Sequence, residues 1–227
     1  MCFSASASFG AGLVLTGIGV ASIKKIHHRS QLPFASIPFL FGVQQLAEGI
    51  LWVTLPNPDY IVMQKITTYV FLFFAQILWP IMVPVSILLL EKNVLRKKIQ
   101  QVLVGTGLIV GSYLGYCLYS FHVEAKIVGY HIIYLQDYPI LLNGFSFIIY
   151  ALATILPPFF SPIKRMWMLG VSILISYVVT AIFYEHYILS VWCFFAAIIS
   201  LSIYAIMIEI SNLEKKEVVL LKPNQGK

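Results

Sequence analysis

Charge is what this sequence lacks. Only 11% of its 227 residues are Asp, Glu, Lys or Arg, while 59% are hydrophobic. A soluble domain typically carries about 25% charged residues, so the composition is that of a polytopic membrane protein. Acid is the scarcer sign, 9 residues against 15 Lys and Arg. The basic excess is distributed loop by loop and forms no nucleic-acid motif, so no nucleic-acid partner is expected. Cysteine is nearly absent. The three present share no recognised metal-motif spacing with one another or with a histidine. There is no HExxH, phosphate loop or nucleophile elbow, and no cofactor is implied. Long polar stretches are missing too. The longest are segments 55–62, 91–99 and 122–138, all read as loops, and the tail after Ile210, which leaves no room for a second domain. The opening MCFSASASFG has no basic n-region, so the first apolar run is read as a retained span and not as a signal peptide.

What is present is a series of apolar runs. Crossing a bilayer takes about 20 such residues in a helix. Seven segments qualify: 4–23, 34–55, 63–90, 101–121, 139–160, 166–184 and 188–210. Pro80 and Pro84 lie in the third, where neighbouring helices can satisfy the carbonyls they free. Thirteen of the 15 basic residues fall on one side of this arrangement, and only Lys65 and Lys126 fall on the other. The positive-inside rule then places the N-terminus outside and the C-terminus in the cytoplasm. The expected fold is an all-α integral membrane protein with seven transmembrane helices. Residues 1–210 form one domain, and 211–227 a basic cytoplasmic tail, loose at its end. Trp52, Tyr60, Tyr119, Tyr138, Tyr184, Tyr187 and Trp192 read as an outer aromatic belt.

Further absences narrow the class. No lysine lies within Ile188–Ile208, as a retinal protein would need, and no histidine lies at bilayer depth to hold zinc as in hydrolase-like seven-span proteins. A sugar carrier fits the orientation, but there is no Pro-Gln dipeptide. Two small-residue stripes, Gly107–Gly111–Gly115 and Ser4–Ser8–Gly12–Thr16, recur every four residues and predict close helix–helix contacts.

The second run contains FGVQQLAEGILW. At about 1.5 Å per residue, Gln44 lies near the midplane and Glu48 about 6 Å nearer the outside. Gln44, Gln45 and Glu48 share a face, with Trp52 one turn above. A central charge costs at least about 2.5–3.5 kcal/mol, so Glu48 points into the bundle, protonated or paired. Gln76 and Asn143 are its expected partners. Glu48 reads either as a proton or cation site or as part of a hydrogen-bonded network holding helices together.

The outer side also collects His122, His131, His186, Cys2 and Cys193, with Cys117 near the outer end of the fourth span. These are ligand types for zinc or copper, and His122, His131, His186 and Cys2 form an alternative metal set. Cys2 with His186 could equally serve nucleophilic catalysis, and a Cys2–Cys193 or Cys2–Cys117 disulfide is allowed in an oxidising compartment. Solvated histidines and small apolar cysteines account for the same residues without function.

MCFSASASF, LPFASIPFLFGVQQLAEGILW, FAQILWPIMVPVS and SVWCFFAAIIS resemble stretches of a family of bacterial multi-pass membrane proteins of unknown function. The resemblance implies the inner membrane of a bacterium and brings no reaction with it. It groups Cys2, Ser4, Gln44, Gln45, Glu48, Trp52, Gln76, Trp79, Pro80, Pro84, Trp192 and Cys193 on spans 1, 2, 3 and 7. The expectation is an outward-facing polar pocket centred on Glu48, with Gln44, Gln45, Gln76 and Asn143 around it and Trp52 and Trp192 at its rim. It would bind or pass a small solute or cation. A membrane enzyme using Cys2 or His186 and a structural or partner-binding protein are the alternatives. The partners expected are the lipid bilayer and that solute.

Overall fold

The computed structural model describes residues 4–183 and 188–220, without the side chains of 140–147, 183, 188–194, 197 and 216–220. Among the described residues, seven helical rods follow the apolar runs. They are α1 (Ala5–Ile23), α2 (Leu32–Thr54), a continuous rod of α3 (Ile61–Leu72), a π-helical turn (Phe73–Leu78) and α4 (Trp79–Leu90), then α5 (Val94–Ser120), α6 (Ile140–Ile155), α7 (Met166–Phe183) and α8 (Ile188–Leu220). Among the described residues, four helical stretches are long and apolar enough to cross a membrane: Ala5–Ile23, Arg29–Thr54, Pro58–Leu90 and Val94–Ser120. Their connections give the bundle a basic end, with Lys24, Lys92 and Lys164, and an opposite end.

That opposite end holds a correction to the all-α expectation. Residues read as a loop form an antiparallel hairpin, β1 (Val123–Val128) and β2 (His131–Gln136). Val123 and Ala125 face inward while Glu124 and Lys126 face solvent, the period-two alternation of a half-buried strand. Gly129 turns the chain at φ +62°, a conformation that suits glycine. Ala125 and Ile132 pack on Leu51 of α2, and Tyr134 stacks on Phe71 of α3 at 4.7 Å. The hairpin is thereby held over the ends of α2 and α3.

Both small-residue stripes run along helix contacts, apart from Ser4, which caps α1. On α1 the buried line is Ser8, Gly12, Leu15, Gly19 and Ser22, and it packs along α2. A Cβ on Gly42 would stand 2.5 Å from Thr16 Oγ1, and one on Gly19 2.5 Å from Phe39 N. The α5 stripe lies on the π–α4 rod. A Cβ on Gly107 would stand 1.9 Å from the Pro80 carbonyl oxygen. Pro84 has no N–H to offer that oxygen, so the approach of α5 covers a carbonyl that the helix itself leaves without a donor.

At the basic end the last helix runs past Ile210, the boundary expected for the membrane domain. α8 continues as helix to Leu220. His27 Nε2 lies 2.9 Å from Ser211 Oγ, and Gln31 Nε2 donates to Glu214 at 2.6 Å. Gln31 Oε1 meanwhile accepts from the His27 backbone N–H at 2.8 Å.

Candidate functional site

The centre of the bundle is built on a backbone irregularity. Pro80 cannot donate to the Gln76 carbonyl one turn back, and its ring crowds that oxygen. The chain widens into a π turn before it, and the Trp79 N–H donates five residues back to Phe74 O. The Ala75 carbonyl then has no helical donor, since Trp79 is committed and Pro80 has none. The Tyr150 hydroxyl of α6 supplies one at 2.7 Å. Such turns recur at functional sites, and this one aims Gln76 and Trp79 into the bundle.

Trp79 Nε1–H donates to Gln44 Oε1 at 2.8 Å, joining α4 to α2. An indole nitrogen is a donor only, so this bond fixes which end of the Gln44 amide is oxygen. The Gln44 Nε2 is buried without a partner among the described residues. One turn on, Gln45 Nε2 donates to Glu48 Oε2 at 3.2 Å, both residues fully buried. Trp52 is half-buried, and its indole N–H has no partner among the described residues.

Gln76 reaches the hairpin. Its Nε2 donates to Gln136 Oε1 at 3.0 Å, and its Oε1 accepts from Tyr138 at 3.0 Å. Both ends of its amide are thus engaged with residues that the sequence placed in a loop and an aromatic belt. Tyr138 is 7% exposed. It is an interior hydrogen-bond donor, unlike Tyr119, which is 92% exposed, and burial pushes its phenol above the ordinary range. Gln136 was missed by sequence reasoning; its place at the end of an alternating strand was the available signal.

A cavity of about 60 Å³ lies beneath the Gln44–Trp79 bond, on the basic-end side. Gln44, Phe41, Trp79, Tyr150 and Ile173 are among its lining residues, and Glu48 is not. Phe41 stacks on Trp79 with ring centroids 3.9 Å apart. The described cavity therefore occupies the half of the bundle away from the hairpin, whereas sequence reasoning looked for a pocket on the hairpin side.

Cys2 and His186 lie outside the described residues, and the side chains of Asn143, Trp192 and Cys193 are not described. The pairing of Cys2 with His186 falls there too. Cys117 is a buried free thiol. His122 is exposed. His131 is half-buried on β2, and burial holds its imidazole below its ordinary pKa. Among the described residues, no three His, Cys, Asp or Glu side chains gather closely enough to hold a metal ion.

No curated protein and no solved structure matches the chain. A family model does, over residues 1–217. That span takes in every helix from α1 through most of α8, so the chain belongs to a family of unknown function, DUF6629.

Proposed function

We propose that this is a multi-pass protein of a bacterial inner membrane, N-terminus outside, that binds or passes a small solute or cation at the polar face of α2. Several observations support the membrane setting. The outward faces of the rods carry large apolar residues, among them Leu13, Ile61, Val62, Val102, Ile109 and Ile182, each at least 68% exposed. An apolar surface of that extent is at home in lipid. The basic residues gather at one end, as the inner-face rule requires.

The observation that carries the site is the fully buried Glu48 beside Gln45, one turn from Gln44. An ionisable group held at that depth is costly and by default functional. Gln45 Oε1 adds an acceptor without a partner among the described residues. Glu48 exchanges a proton as the solute enters, and the Gln45 amide orients the solute.

The test is flux. Proteoliposomes carrying the protein are offered amino acids, sugars, organic acids and alkali cations in mildly acidic and mildly alkaline medium. The proposal expects at least one class to move with a pH dependence that Glu48→Gln abolishes. Flux absent for every class, or unchanged by Glu48→Gln, removes it.

A further inference from the structure

The cavity beneath Trp79 is a second place where the molecule can take a ligand, and its chemistry differs from that of Glu48. Its lining is apolar apart from a few groups. The hydroxyls of Tyr150, Thr154 and Ser86 already donate to the carbonyls of Ala75, Tyr150 and Val83, at 2.7, 2.9 and 2.8 Å. Trp79 donates to Gln44. This leaves the Gln44 amide as the lining's uncommitted donor among the described residues. Because the indole holds the oxygen end, the group on offer is an NH₂, which asks for an acceptor. No carboxylate lines the space, so a cation finds no counter-charge there.

Size narrows the class. At about 60 Å³ the cavity is well under the ~150 Å³ of an engineered apolar cavity that takes benzene. It excludes a sugar or a whole aromatic ring and admits the slender end of a chain, a few heavy atoms at a time. The stacked Phe41–Trp79 pair gives an apolar wall beside the donor. We propose that this cavity binds a small uncharged molecule, or the tip of a longer one, that is mostly apolar and carries one acceptor oxygen, an ether or carbonyl, which receives the Gln44 Nε2–H. The site does not depend on Glu48 exchanging protons.

Trp79 reports on it directly. In the full-length protein with Trp52, Trp167 and Trp192 changed to Phe, emission comes from Trp79 alone. The probes are bromoethyl methyl ether and n-bromobutane, which differ by one oxygen for one methylene and both quench indole. Saturable quenching by both is expected. In Gln44→Leu the ether-to-alkane affinity ratio should fall about five- to tenfold, the loss of one hydrogen bond. Ile173→Phe, which fills the cavity and leaves Gln44 intact, should abolish saturation for both. Quenching that rises linearly with either probe, or a ratio unchanged by Gln44→Leu, overturns the proposal. If Gln44→Leu does not fold, saturation that survives Ile173→Phe overturns it equally.

Discussion

Trp79 of α4 donates its indole N–H to the side-chain oxygen of Gln44 on α2 at 2.8 Å, and both residues are buried. The bond clamps the two central rods and fixes the Gln44 amide. Trp79→Phe removes the donor and strands a buried acceptor, which costs about 1–3 kcal/mol. Adding Gln44→Leu removes the stranded group, so the double variant should be more stable than the sum of the two single losses. Thermal unfolding of the three variants in detergent checks this, and strict additivity would count against the clamp.

Tyr150 and the π turn give a second expectation. Tyr150→Phe leaves the Ala75 carbonyl without its cross-helix donor. A loss of about 1–3 kcal/mol follows, with the same apolar volume retained. An unchanged midpoint would mean that the carbonyl finds another donor.

Gly107 and Gly105 sit two residues apart on α5 with opposite surroundings. A Cβ at Gly107 meets the Pro80 oxygen at 1.9 Å, while one at Gly105 meets nothing within 4 Å. Gly107→Ala forces the rods apart and should destabilise by about 1–3 kcal/mol. Gly105→Ala should be neutral or stabilising by up to about 1 kcal/mol, since alanine favours helix. Equal midpoints for the two variants would contradict the packing of α5 on α4.

The hairpin should respond to acid through His131. Burial lowers its folded-state pKa below the unfolded value of about 6.5. Between the two values the unfolded chain binds the extra proton, so this contribution is complete above about pH 6.5 and is lost as pH falls toward the folded value. His131→Gln should flatten that part of the pH profile of unfolding. A profile identical to wild type would assign the acid sensitivity to other groups.

The seven rods were legible because each coincides with an apolar run, and the close contacts were legible because Gly107, Gly111 and Gly115 repeat on one helix face. The hairpin was not. Its strands are short and carry Glu124, Lys126 and His131, so polarity outweighed alternation. The extension of α8 was hidden by Glu214, Lys215 and Lys216, which read as a solvated tail although Glu214 bonds Gln31. At the site, the shared face of Gln44, Gln45 and Glu48 follows from helical spacing alone. The partner of Gln44 does not, because it depends on the register shift that Pro80 imposes on Trp79. Nor does the engagement of Gln76 with Gln136 and Tyr138, which needs the hairpin folded back over α3.

The most direct measurement is modification of Glu48 by dicyclohexylcarbodiimide, a reagent for protonated carboxyls in apolar surroundings, followed by mass analysis of the α2 peptide across a pH series. The account predicts an adduct on Glu48 that forms readily in acid, slows as the medium becomes alkaline, and is slowed further by the solute that the flux assay selects. An adduct that never forms, or one whose rate ignores both pH and solute, would contradict a proton-exchanging site on α2.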